Sequence, residues 1–267
     1  MSAIDEVFKR CAKEKRAAFI PFLMAGDPSL AATGEYLEAL AESGADVIEL
    51  GVPFSDPIAD GPVNQRAAVR ALAAGTKLSG ILQLIARHRD RLGVPIVLFT
   101  YYNPLHARGI GRFAEQAASS GVDGVLCVDL PPEEGNELVH ALADHGLDTI
   151  FLLAPTSTPE RVEKVAHSSS GFVYYVSRTG VTGERERLPP ELVQSVRKLR
   201  RKLTQPLAVG FGLSTPQQVA EVAQIAQGVV VGSALVRLIE EGAGPEELAA
   251  RVRELTAPLR QGKGRRR

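Results

Sequence analysis

Cysteine is nearly missing from this 267-residue chain: Cys11 and Cys127 stand alone, outside any CxxC or His-rich spacing. That excludes a disulfide framework and a structural zinc site, and it fits a reducing compartment. Net charge is missing too. The 31 basic and 31 acidic side chains cancel, so no overall field recruits nucleic acid or an anionic membrane. No apolar run approaches the roughly 18 residues that span a bilayer. The opening MSAIDEVFKRCAKEKR mixes acids and bases and lacks the apolar stretch of a signal or transit peptide. Together these absences predict a cytoplasmic protein. The familiar catalytic signatures HExxH, GxSxG, Walker A and EF-hand are absent. His88, His106, His140, His145 and His167 form no ligand cluster, so no metal site is expected. No candidate strand carries a lysine, which argues against Schiff-base aldol chemistry. Tryptophan is absent altogether, and that excludes nothing.

What is present is a regular alternation. Short apolar runs recur at 17–25, 46–51, 95–101, 124–129, 148–154, 172–177, 206–212 and 228–232, separated by amphipathic stretches such as SLAATGEYLEALAESG and TKLSGILQLIARHRDRLG. Nearly continuous apolar strands joined by helices predict a parallel sheet covered on its faces. Eight such units in about 250 residues predict an α/β fold of the (β/α)8 TIM-barrel type. A leading helix from about Ile4 to Lys15, with Ile4, Val7, Phe8 and Cys11 on one face, is expected to close the barrel floor. The competing doubly wound sheet lacks its glycine fingerprint, because strand one runs into MAGDPSL. With 45% hydrophobic residues and no linker, residues 1–260 are expected to form a single domain, with 261–267 as a basic, disordered tail.

In such a barrel the chemistry sits in the loops after the strands' C-terminal ends. Two of those loops, GFGLST (210–215) and VGSALV (231–236), pass through small residues into a helix start. Glycine lets the backbone approach a ligand, and free N–H groups at a helix start favour an anion. Either sequence alone is ordinary turn chemistry. Placed after strands seven and eight, the pair marks the habitual phosphate site of barrels, and GVTG after strand six adds a third glycine wall. A small phosphate ester is therefore the expected substrate. Its phosphate would be held mainly by backbone N–H groups, because neither loop contains Lys or Arg.

Opposite that site the sequence reading places ELGVPFSDPIADGPVNQ (49–65), with Glu49, Asp56 and Asp60 in a stiff, proline-rich loop. A solvated connector is the bland explanation. Glu49, however, ends an apolar strand between Ile48, Leu50 and Val52. Burial there would raise its pKa and let it give and take a proton near neutral pH.

These residues together resemble the tryptophan synthase alpha subunit family. The resemblance runs from about Phe8 to Leu259 and rests on PFLMAGDPS, ELGVPFSDPIADGPVNQ, YYNP, VDLPPEE, YYVSRTGVTG, GFGLST and VVGSALV in order. It implies cleavage of indole-3-glycerol phosphate to indole and glyceraldehyde 3-phosphate, a retro-aldol reaction needing neither metal nor organic cofactor in this chain. It implies that Glu49 is the acid/base and Asp60 the carboxylate that binds the indole N–H. Tyr174 matches the family's active-site tyrosine. Phe22, Phe99 and Tyr101 fall where the indole-pocket wall is expected, and Thr182 belongs to a closing loop. Gly183, Gly210, Gly212, Gly232 and Ser233 match the phosphate cradle. Pro53 and Asp56 match a loop that contacts a pyridoxal-phosphate-bearing beta subunit in an α2β2 assembly. Tyr102, Pro104 and His106 depart from the family around a variable loop.

Three other readings keep to the same residues or fold: a self-sufficient lyase that releases free indole, a sugar-phosphate isomerase, and a silent barrel that only activates a partner. Intact Glu49 and Asp60 argue against the last.

Overall fold

The computed structural model describes residues 1–176, 188–210 and 212–260. Its strands are β1 (Ala18–Met24), β2 (Ile48–Gly51), β3 (Ile96–Thr100), β4 (Gly124–Cys127) and β5 (Asp148–Ile150). They continue with β6 (Leu152–Leu153), β7 (Val173–Val176), β8 (Leu207–Gly210) and β9 (Gly228–Val231). The helices of the first half are α1 (Ala3–Lys13), α2 (Leu30–Ser43), α3 (Pro62–Ala73), α4 (Leu78–Leu92), α5 (Tyr102–His106) and α6 (Ile110–Ser119). Those of the second half are α7 (Asn136–Asp144), α8 (Pro159–Ser168), α9 (Pro190–Arg200), α10 (Pro216–Ala223), α11 (Ser233–Glu240) and α12 (Pro245–Arg260).

Every pairing is parallel, in the order β5-β4-β3-β2-β1-β9-β8-β7-β6. β5 and β6 are two halves of one extended segment, interrupted at Phe151. The first half pairs with β4 and the second with β7, so this segment closes the sheet into a (β/α)8 barrel. The sequence reading drew it as one strand. The break falls where the ladder changes partner, and the Phe151 carbonyl accepts from Tyr174 N–H at 3.1 Å.

Strand periodicity divides the core in two. Ile48, Leu50, Leu98, Val125, Tyr175, Val209 and Val231 face outward and pack under the helices. The alternate positions Ala18, Ile20, Val47, Val97, Leu126, Ile150, Phe172, Ala208 and Val230 fill the barrel's interior. Ile4, Val7, Phe8 and Cys11 of α1 join that inner set from below, with Phe8 and Phe172 rings 5.7 Å apart. The helix thus closes the floor as expected. Its start is fixed by a Ser2–Asp5 capping box, and beyond its end Arg16 chelates the buried Asp46 at 2.6 and 2.8 Å.

Candidate active site

Glu49 occupies an inward position on β2, level with Phe22 of β1 and Val97 of β3. It is completely buried, and neither carboxylate oxygen has a hydrogen-bond partner. Burial alone pushes its pKa from 4.5 to about 8. The sequence reading expected this burial from Ile48, Leu50 and Val52. Strand alternation instead sends Ile48 and Leu50 to the outer face. The environment of Glu49 is the barrel interior, where Phe22, Phe99 and Tyr174 line the same cavity.

That cavity, about 860 Å³, opens at the strands' C-terminal ends. Phe22 and Phe99 meet edge to face at 5.3 Å and form one wall. Leu152, Val128 and Val176 continue it, and Tyr174 lies beside them. Burial raises the Tyr174 pKa well above 10, with Glu49 and Asp60 adding to the shift, so the phenol stays neutral.

Asp60 lies in the β2–α3 loop and also lines the cavity. Burial raises its pKa, while hydrogen bonds from Tyr101 and Asn64 oppose the rise. The Tyr101 hydroxyl donates to Asp60 Oδ2 at 2.9 Å and accepts the Ala59 N–H at 3.0 Å. Tyr101 does not line the cavity. It stands behind Asp60, with its ring 5.1 Å from Phe54, and not on the wall that Phe22 and Phe99 form. Tyr101→Phe keeps the ring and deletes the bond to a carboxylate, and turnover should fall about tenfold with little change in fold stability. Unchanged steady-state turnover would remove Tyr101 from the site. Asn64, four residues beyond Asp60 in the quoted loop, was missed by sequence reasoning. Its α3 position one turn after the acid is the signal that could have found it.

The glycine loops divide in their roles. Gly232 is the N-cap of α11, and no side chain caps that helix start. Ser233, its first residue, lines the cavity with Gly232 and Gly212. Gly212 has φ +62° and open space where a Cβ would stand, so its conformation demands glycine while leaving room for a ligand. At α10 the picture is different. Thr215 and Gln218 form a complete capping box, so this helix start is occupied by the protein's own side chains. Gly210 serves another purpose again: a Cβ there would lie 2.1 Å from the Tyr174 hydroxyl. It makes room for the tyrosine. Of these two helix starts, only that of α11 is left without a side-chain cap.

The sequence reading sets the glycine loops opposite Glu49, but β9 and β2 both pair with β1, so Gly232, which follows β9, lies across β1 from Glu49 and not across the barrel. Thr182 and Gly183 lie outside the described residues. Pro53 is buried, whereas Asp56 is exposed beside Ile58, which is 87% accessible. Within the YYNP segment Tyr101 is the N-cap and Tyr102–Pro104 begin the short helix α5.

Fold and cavity define a (β/α)8 barrel with an isolated, buried carboxylate on the cavity, a second acid on a loop beside it and a helix start that no side chain caps. Comparison with known proteins makes this specific. Residues 8–263 match the family model for the tryptophan synthase alpha chain, and the chain belongs to that family. It is 52% identical over 264 residues to the tryptophan synthase alpha chain of Geobacter sulfurreducens, covering 99% of this chain and all of that one. The tryptophan synthase alpha chain of Solibacter usitatus is 49% identical over 266 residues, with full coverage of both. Among solved structures, a tryptophan synthase from Mycobacterium tuberculosis aligns with a TM-score of 0.91 at 39% identity, over 97% of this chain and 99% of that one. The tryptophan synthase alpha chain of Legionella pneumophila aligns with a TM-score of 0.91 at 34% identity, over 99% of this chain and all of the other.

Proposed function

We propose that this cavity cleaves indole-3-glycerol phosphate to indole and glyceraldehyde 3-phosphate, with Glu49 moving the protons and Asp60 holding the indole nitrogen. The family is a lyase family carrying out that half-reaction of tryptophan biosynthesis. The observation that carries the residue assignment is Glu49: a fully buried carboxyl with both oxygens unpaired, opening onto a cavity whose rim is an uncapped helix start. A carboxyl left unpaired at such cost calls for a ligand partner.

The chemistry follows from its proton affinity. With a pKa of about 8 the free site holds Glu49 mostly neutral at pH 7, so it can protonate indole C3. The ring becomes an indolenine cation, and Asp60, accepting the N–H, stabilises that charge. The bond from C3 to the adjacent side-chain carbon then breaks, with its electron pair returning to the ring. The hydroxyl on the departing carbon becomes the aldehyde, and its proton goes to the Glu49 carboxylate. Glu49 ends as it began. A pKa close to the working pH keeps both transfers near balance. Phe22 and Phe99 would hold the indole, and the N–H groups at Gly232 and Ser233 the phosphate.

A beta subunit is the partner that an alpha chain of this family implies. We place its contact on the Asp56–Ile58 tip, in an α2β2 assembly, with pyridoxal phosphate on the beta side. From there Phe54 stacks on Tyr101, and Tyr101 holds Asp60, so docking has a short mechanical route to the catalytic loop. Indole release from indole-3-glycerol phosphate, measured with and without a beta subunit, tests the reading. Slow release by the chain alone and faster release with the partner are expected. No indole under either condition would overturn it. Gly212→Val should raise the inhibition constant of glycerol 3-phosphate at least tenfold, because β-branched residues resist φ near +60°. Unchanged inhibition in a folded variant would remove this loop from the phosphate site.

A further inference from the structure

Four charged side chains tie the helix behind Asp60 to the helix behind the phosphate cradle. Arg66 and Arg70 stand one turn apart on α3. Arg70 chelates Asp27, which is 2% accessible, through Nε and Nη2 at 2.8 and 2.7 Å. Its remaining nitrogen, Nη1, reaches Glu240 at 2.7 Å. Arg66 grips the same Glu240 with two bonds of 2.7 Å. Hydrogen bonds from Arg66, followed by those from Arg70, hold the Glu240 carboxyl down at about 2.

The two helices differ in how firmly the barrel holds them. α11 leaves β9 through the single residue Gly232, so its position is set by the strand. α3 leaves β2 only after the long loop from Val52 to Gly61. Its start is uncapped by any side chain, and Gln65 in its first turn donates to the Asp60 carbonyl at 3.0 Å. Any slide or roll of α3 therefore carries Asp60 with it. Val63, Ala67, Ala68 and Ala71 pack α3 against Phe22, Met24 and Val236. Small apolar residues resist separation but permit sliding, because alanine faces offer few interlocking ridges. Forked, bidentate bonds fix direction as well as distance.

We infer that Glu240, gripped by Arg66 and Arg70, is a positioning residue that sets Asp60 relative to the phosphate cradle, using α11 as the fixed post and Asp27 as a second anchor. The inference rests on the proposed role of Asp60. It assigns catalytic weight to a residue at the far end of α11 from the cradle.

A double-mutant cycle tests it. Glu240→Gln keeps size and polarity but cannot hold two guanidinium groups. Its turnover number should fall about tenfold, while the glycerol 3-phosphate inhibition constant stays within about twofold of wild type. The loss should nearly vanish in an Asp60→Asn background, because the clasp acts only through that carboxylate. Tyr101→Phe, which loosens Asp60 without removing it, supplies a second background with higher residual rate, and there too the losses should fail to multiply. Glu240→Asp should recover part of the rate and Arg70→Lys should not, since lysine cannot fork between two acids. A tenfold loss that persists in both backgrounds would mean a general structural role. A Glu240→Gln protein with wild-type turnover, or one whose only defect is weaker glycerol 3-phosphate inhibition, would equally overturn the inference. If Asp60→Asn alone keeps full activity, the proposed role of Asp60 fails instead, and the cycle separates that result from the others.

Discussion

Glu49→Gln is expected to remove nearly all indole formation while leaving glycerol 3-phosphate inhibition within about twofold of wild type. The substitution keeps the size of the side chain and removes its ability to give and take a proton. General acid/base catalysis typically contributes about 10²–10⁴-fold. Here one group serves both transfers, so the loss should lie at the upper end. The inhibition constant is the control, because the proposed phosphate cradle at the start of α11 shares no residue with β2. Turnover within a factor of about two of wild type would exclude Glu49 from proton transfer.

The same substitution has a consequence for stability, with a defined sign. In the folded protein Glu49 holds its proton up to a pH of about 8, while the unfolded chain releases it near 4.5. Between those values folding takes up a proton, so this contribution is complete below the lower value and is lost as pH rises through the upper one. The ceiling is about 5 kcal/mol, from about 1.4 kcal/mol per unit of pKa. Wild type should therefore lose melting temperature relative to Glu49→Gln as pH is raised from 5 to 9. Parallel curves would show that Glu49 ionises in the folded state as freely as in water.

How much of this was legible in the sequence depended on whether the signal was local. Barrel order, the plug helix and the strand-end acids could be read because alternating apolar runs and turn residues carry them along the chain. Burial of Glu49 was anticipated from its chain neighbours Ile48 and Leu50, which face the other side of the sheet; the residues that bury it come from β1, β3 and β7. The Tyr101–Asp60 bond could not be read, since the hydroxyl meets Asp60 only after β3 is laid beside β2. GFGLST and VGSALV look alike as strings, yet Thr215 caps its own helix and Gly232 cannot. The Arg66–Glu240 pair spans 174 positions and gives no local signal at all.

The second large effect is expected at Gly210, for a reason unlike that of a phosphate ligand. A Cβ at this position would stand 2.1 Å from the Tyr174 hydroxyl and 2.7 Å from Cζ, well inside any real contact. Gly210 ends β8, whose backbone pairs with both β7 and β9 and cannot retreat. Tyr174 must move instead. The residue is 8% accessible, with the barrel core beneath it, so the space open to its ring is the cavity, which the indole would occupy. Gly210→Val should therefore lower turnover about 10²-fold or more, the scale on which displacements of about 1 Å act, without unfolding the barrel. Tyr174→Ala alone should also be impaired, because it removes a wall of the cavity. Combined, the two should not multiply: deleting the ring removes the clash, and the double variant should exceed Gly210→Val by at least tenfold. Steady-state rates for the four proteins decide between the two roles of Gly210. If the double variant shows the product of both losses, Gly210 acts through its own backbone toward the substrate, and the clash with Tyr174 is not what requires a glycine at the end of β8.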